Sequence, residues 1–393
     1  MSKLFNIDVN ELKKDGGYYT AKEVYHQPKL WRETLDIINL NKEQISVFIN
    51  EKLNKDSVRI ILTGAGTSAY VGDIAAPYLS RILGVRVEAI ATTDIVSNPE
   101  DFLKKDTSTI LVSFARSGNS PESVATYDLA EQLVNDINQI VITCNKDGAL
   151  VKKAKGNNDN LVILMPEESN DQSFAMTSSF SCMLLTTLII FDMKNLNRNT
   201  VSVENIMTNA NEILNSEVSE ILNLVKLGCD RVVYLGSSAL SGLSKEAALK
   251  NLELTSGKVN STSESVLGFR HGPKSIVNEK TLVFVFVSND EYTRKYDIDL
   301  LREIYNDKGN HKVVAITYNK DTEIDKIADK VFIANSEHHE VISDAFGALD
   351  FVLYAQMFAL FYSLELGISP DNPRPDGTVN RVVKGVTIHQ YDK

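Results

Sequence analysis

Disulfide and zinc chemistry are the first classes this 393-residue chain leaves aside. Its three cysteines, Cys144, Cys182 and Cys229, stand far apart, with no CxxC pair and no Cys/His cluster. A reducing cytoplasm is the expected compartment. Basic runs are missing as well: the net charge is −11 with the signs mixed, which argues against nucleic acid or an anionic membrane as the main partner. The first residues carry no apolar signal segment. The most apolar helical run, Met183 to Phe191, falls well short of the roughly 20 residues that cross a bilayer, so it is expected in a core. No Walker lysine follows any glycine-rich loop, so a nucleoside triphosphate is not the expected ligand. Neither a metal nor a cofactor is called for.

What is present is an α/β pattern given twice. Residues 1–57 read as a helical arm, with Pro28 ahead of a long helical run. Arg59 to Thr63 is then a buried strand, Gly64 to Ser68 a tight loop and Tyr70 to Leu83 a helix. Further strands are expected at residues 85–90, 108–113, 139–144 and 161–165, before helices around 173–192 and 203–226. Their apolar runs suit a parallel sheet covered on both faces. The second half echoes the first, offset by roughly 170 residues: Asp230 to Ala239 resembles Ile60 to Ala69, and Ala315 to Asp321 resembles Val141 to Asp147. Two tandem doubly wound lobes are therefore expected, at residues 58–200 and 201–368, packed about a pseudo-twofold axis, with a tail at 369–393. In such sheets ligands bind beyond the strand C-termini.

Two loops of the first lobe sit at such ends. One holds Gly66, Thr67 and Ser68; the other holds Arg116, Ser117 and Ser120. Each is hydroxyl-rich and opens a helix whose free N–H groups and positive dipole end suit a small phosphoester. Ordinary N-caps would read the same way. The second lobe keeps Gly236-Ser-Ser238 but carries the acidic Ser288 to Tyr292 where its other loop would be, which would repel phosphate.

Ser244 to Ser256 reads as a helix, rich in Ala, Leu, Glu and Lys. Lys250 lies about 40° and Glu253 about 20° from Glu246 around its axis, so one narrow stripe holds two carboxylates and an ammonium. That stripe lines a pocket or forms an ion pair on a solvated face. A strand-like segment follows, and then Gly268 to Pro273, where His271 sits in a loop able to bend over a ligand.

Together, Gly66-Thr-Ser68, Ser117-Gly-Asn-Ser120, Glu246-x-Ala-Leu-Lys250-x-x-Glu253 and Arg270-His-Gly-Pro273 resemble the paired sugar-isomerase (SIS) domains of glucosamine-6-phosphate synthase. The whole-chain pattern is most similar to the AgaS group of galactosamine-6-phosphate deaminase/isomerases, also described as tagatose-6-phosphate ketose/aldose isomerases. The resemblance implies phosphate held by Thr67, Ser68, Ser117 and Ser120, with Glu253 the carbon-acid base and His271 opening the sugar ring. It also implies that Lys384 of the Pro-rich tail reaches the substrate; by composition alone that tail would simply fray. Lys250 is expected to keep Glu253 ionised and to stabilise the enolate-like intermediate.

Ala115 and Arg116 replace a Ser and a Gln of the synthase loop. No glutaminase domain is expected either, since the arm is too short for one. The expected activity is therefore catabolic: galactosamine 6-phosphate to tagatose 6-phosphate plus ammonia. Plain aldose–ketose isomerisation and a non-catalytic sugar-phosphate sensor are the alternatives. The only expected partners are the sugar phosphate and further copies of the chain, in a homodimer or higher homo-oligomer, because the family's His loop reaches a neighbouring subunit's pocket.

Overall fold

The computed structural model describes residues 2–55, 57–335, 343–383 and 385–392. The chain forms two compact units and passes between them more than once. One consists of Lys29–Asp171, Ser178–Asn197 and Asp376–Lys393; the other of Met1–Pro28, Gln172–Thr177 and Arg198–Pro375. The N-terminal helices and the tail are each divided at a proline, Pro28 and Pro375.

The first unit is built on a five-stranded parallel sheet of β1 (Arg59–Thr63), β2 (Arg86–Ala89), β3 (Thr109–Ala115), β4 (Ile137–Thr143) and β5 (Asn160–Leu164), in the order β2-β1-β3-β4-β5. The two central strands, β1 and β3, are buried at every residue, as their unbroken apolar runs require. Helix α1 (Thr67–Leu83) follows β1 and α2 (Pro121–Leu133) follows β3. The apolar run around Met183 lies in α3 (Ser178–Ile190), buried throughout, where Ser181 accepts a hydrogen bond of 2.9 Å from the buried Trp31 indole.

The second unit repeats the plan with β6 (Arg231–Gly236), β7 (Asn260–Ser265), β8 (Thr281–Phe286), β9 (Lys312–Thr317) and β10 (Lys330–Ile333), in the equivalent order β7-β6-β8-β9-β10, again all parallel. Helix α4 (Ala239–Leu254) follows β6 and α5 (Glu291–Asn306) follows β8. The helix expected over 203–226 is two helices, Leu196–Ser216 and Val218–Val225.

The sequence reading assigned no element to the helix at the centre of this unit, α6 (Asp344–Glu365), although it is apolar and long enough by composition to cross a membrane. Every residue from Ala345 to Ser363 is buried, which makes it a core helix. Its buried mid-helix carboxyl, Asp350, accepts hydrogen bonds from Tyr318 (2.6 Å) and Asn209 (3.2 Å), and burial pushes it well above the usual carboxylate range.

The repeat itself is confirmed, but its local register differs from the one read in the sequence. In backbone terms Gly64 corresponds to Gly236 and Gly66 to Ser238: a Cβ on Gly64 would stand 2.6 Å from Ser68, and one on Gly236 2.3 Å from Leu240. The N-cap dihedrals agree as well, φ 56° and ψ −129° at Gly66 against φ 53° and ψ −121° at Ser238. Thr67 and Ser68 thus fall opposite Ala239 and Leu240, two residues away from the pairing with Ser237 and Ser238. The shared Gly-Ser spelling misleads because the turn is defined by its backbone shape.

Ser238 pays a conformational cost that Gly66 avoids, since a non-glycine residue there costs about 1–3 kcal/mol. Part of that gain is offset by the freedom glycine adds to the unfolded chain. Ser238→Gly is expected to raise unfolding stability by about 1 kcal/mol, read from the urea midpoint. An unchanged or lower midpoint contradicts this.

Candidate active site

In the first sheet β1 and β3 are neighbours, with Thr63 opposite Ser113, and the chain leaves them in opposite directions. This is the topological switch point, where a doubly wound sheet opens a crevice. Both candidate phosphate loops start there. Thr67 and Ser68 form the buried first turn of α1, and its N-cap, Gly66, supplies no side-chain cap. Ser120 is the N-cap of α2, and its hydroxyl makes no capping bond to the helix. Neighbouring groups hold this second loop in shape. Asn145 Nδ2 donates to the Ser117 carbonyl (2.8 Å), Leu150 N to the Gly118 carbonyl (3.1 Å), and Ala149 N to Asn119 Oδ1 (2.9 Å). Gly118 has φ 65°, which only glycine adopts without strain. Two helix N-termini at one switch point are suited to an anion.

Arg116 is nearly buried and donates to the Arg381 carbonyl at 2.7 Å. The Arg381 guanidinium donates in turn to the Asp171 carbonyl. The Asp171 carboxylate caps α3, accepting from the backbone N–H and hydroxyl of both Ser178 and Ser179 at 2.5–3.1 Å. Farther on, Gln132 Nε2 donates to the Tyr391 carbonyl at 3.0 Å. Arg381 and Tyr391 of the tail are thus each hydrogen-bonded to this unit. Sequence reasoning missed Arg381 and Asp171; the guanidinium at Arg116, where the synthase has an amide, was the available signal. Lys384 lies outside the described residues.

The equivalent crevice of the second sheet is filled from within. Asp297 Oδ1 accepts from the Ser237 hydroxyl (2.6 Å) and Oδ2 from Ser288 N (2.9 Å), while Asp344 accepts from the Ser288 hydroxyl (2.5 Å) and Asn289 N (2.8 Å). Burial pushes Asp297 up to about 6 against the hydrogen bond from Ser237. The chain's own carboxylates occupy the hydroxyl and amide donors that a phosphate would need. The donors beside Gly236-Ser-Ser238 are thus already engaged.

The stripe on α4 is interior, so the solvated-face reading fails. Lys250 is fully buried, its Nζ 3.6 Å from Glu246 Oε1 and 2.5 Å from Glu253 Oε2. Glu246 is fully buried too, whereas 26% of the Glu253 side chain is exposed. Of the two carboxylates, Glu253 is the one open to a ligand. The helix is fixed from both sides: Asn251 Nδ2 donates to Ser261 Oγ of β7 (2.5 Å), and Ser363 Oγ of α6 donates to the Leu254 carbonyl (2.6 Å). His271 is solvent-exposed at the tip of its loop, with its N–H on the Gly268 carbonyl (2.9 Å) and Gly272 beyond it at φ 118°. Cysteine chemistry is disfavoured, because burial pushes Cys144 up to about 12 and Cys229 up to about 11. The candidate residues are thus divided: the hydroxyl loops lie in one unit, and the stripe of Glu246, Lys250 and Glu253, with His271 on a separate loop, lies in the other.

The SIS domain profile matches residues 52–193 and 227–363. The chain is 43% identical over 377 residues, 95% of its length and 96% of the relative's, to the D-galactosamine-6-phosphate deaminase AgaS of Escherichia coli O157:H7. A solved structure from Clostridium novyi NT superposes with a TM-score of 0.97 and 48% identity over the whole of both chains. The tagatose-6-phosphate ketose/aldose isomerase of Escherichia coli gives 0.86 and 39%, over 95% of this chain and 97% of its own. The chain therefore belongs to the SIS-domain family and, within it, to the AgaS group.

Proposed function

We propose that this protein deaminates and isomerises galactosamine 6-phosphate, giving tagatose 6-phosphate and ammonia. The observation that carries the reading is the ion pair on α4, a buried ammonium holding a carboxylate that alone of the stripe reaches solvent. Near-full-length similarity to proteins named for this deamination supports the substrate. In this reading Thr67, Ser68, Ser117 and Ser120 bind the ester, Arg116 supports their loop, and His271 opens the ring. Glu253 then removes the carbon 2 proton and returns it to carbon 1, while Lys250 stabilises the charge that develops. The product is a ketimine, and addition of water releases ammonia and leaves the ketose phosphate. Three free thiols fit a reducing cytoplasm.

Aldose–ketose isomerisation without nitrogen is a second reading, favoured by the Escherichia coli isomerase fold match. Incubating pure protein with galactosamine, glucosamine and tagatose 6-phosphates separates the two. Ammonia and ketose from the galactosamine ester are expected; ketose–aldose interconversion with no ammonia from either amino sugar favours the second reading.

Glu253→Gln is expected to abolish exchange of the carbon 2 proton with deuterated water, while leaving ester binding within about three-fold, since it removes basicity and keeps shape. Glu246→Gln should retain exchange. The reverse pattern would move the base two helical turns.

Exposure of His271 at a loop tip fits a homo-oligomer in which this residue serves a neighbouring copy. Mixed, subunit-exchanged Glu253→Gln and His271→Ala proteins should recover part of the activity that each lacks. No recovery after proven exchange means that each chain supplies its own histidine.

A further inference from the structure

The His271 loop is exposed but anchored on both sides. Upstream, Glu264 Oε1 accepts from Ser265 N (2.7 Å), and Ser265 Oγ caps the following turn by accepting from Gly268 N (3.2 Å). That turn plants Val266 and Phe269, both fully buried, in a core with Leu300, Leu301 and Ile304 of α5. The same helix carries Glu303 on its outer side. Arg270, the residue before the histidine, places Nε 2.6 Å from Glu303 Oε2, and Lys274, three residues after it, places Nζ 2.6 Å from Glu303 Oε1. Lys274 also reaches Asp307, one turn farther along, at 2.7 Å. Each oxygen of one carboxylate thus holds one flank of the loop. Hydrogen bonds from Lys274 and Arg270 keep Glu303 below the usual carboxylate range.

An isolated exposed ion pair contributes little to stability. Two cations that bracket the three-residue tip His271 to Pro273 and share one carboxylate do something else: they fix where the loop tip stands. Gly272, the only residue between His271 and Pro273, leaves that tip otherwise free to swing. We propose that Glu303 is a positioning residue for His271, holding the loop through Arg270 and Lys274 so that the imidazole meets the sugar ring oxygen in a reactive pose. The proposal rests on the ring-opening role given to His271 above. Misplacing a reacting group by about 1 Å can cost about 100-fold in rate, far more than the stability of the pairs themselves would suggest.

The test compares galactosamine 6-phosphate with its 4,5-dideoxy analogue, an open-chain aldehyde with no hydroxyl placed to close a five- or six-membered ring. Glu303→Gln and Glu303→Ala are expected to lower kcat on the cyclic ester about ten-fold or more, with KM changed less than about three-fold, and to leave turnover of the acyclic analogue intact. His271→Ala should show the same selectivity. Equal losses on both substrates, or none on the cyclic ester, while His271→Ala remains selective, overturn the role of Glu303 alone. If His271→Ala slows both substrates alike, the ring-opening role fails and this assignment falls with it. An unchanged dissociation constant for tagatose 6-phosphate in each variant distinguishes loop displacement from general damage to the fold.

Discussion

A lysine ammonium taken wholly out of water, between two carboxylates on its own helix, is the constraint around which the second unit is arranged. Removing such a charge from solvent is costly unless it is paired and hydrogen-bonded, and the i, i+4 and i, i+3 spacings of Glu246, Lys250 and Glu253 supply both partners locally. The pairing explains why α4 can be buried by α6 and β7 without leaving a bare ion. It also divides the labour between the carboxylates. Glu246 is sealed in and balances charge, and Glu253 keeps an open edge.

The two sheets show how one fold leaves hydroxyl donors at its switch point in one copy and engages them internally in the other. Their strand orders are equivalent and their first turns superimpose in dihedral angle, so both offer helix N-termini at a switch point. In the first, serine and threonine hydroxyls stand there. In the second, Asp297 and Asp344 consume the equivalent hydroxyl and amide donors. The difference is a matter of which side chains arrive from later in the chain, since Asp344 opens α6, remote in sequence from the loop it fills.

The tail and the His loop share a further feature: guanidinium groups fasten irregular backbone to rigid elements. Arg116 and Arg381 fasten the tail to the loop that follows β3 and to the cap of α3, and Arg270 fastens the His loop to α5. Arginine suits the task because its planar donors can hold a carbonyl or a carboxylate in a fixed direction. Irregular segments are thereby held by contacts that no periodic pattern announces.

Much of this was legible in the sequence because it is local. Strand β1 falls where its apolar run ends at Gly64, and the first-lobe strands lie within two residues of their expected bounds, since buried parallel strands read as short β-branched runs. The stripe on α4 follows from helical periodicity alone, and the glycine turns mark where loops meet helices. What the sequence left open depends on contacts between distant segments. Whether the stripe faced water or the interior was decided by α6 and β7 closing over it, and α6 itself carried no turn or amphipathic signal because it is apolar on every side. The true register of the repeat lay in backbone dihedrals shared by a glycine and a serine, and the clamps at Glu303 and Asp171 join residues whose separation along the chain only folding removes. Periodicity and turn chemistry determined the elements; burial and long-range pairing, which no single segment encodes, decided which of their side chains could act.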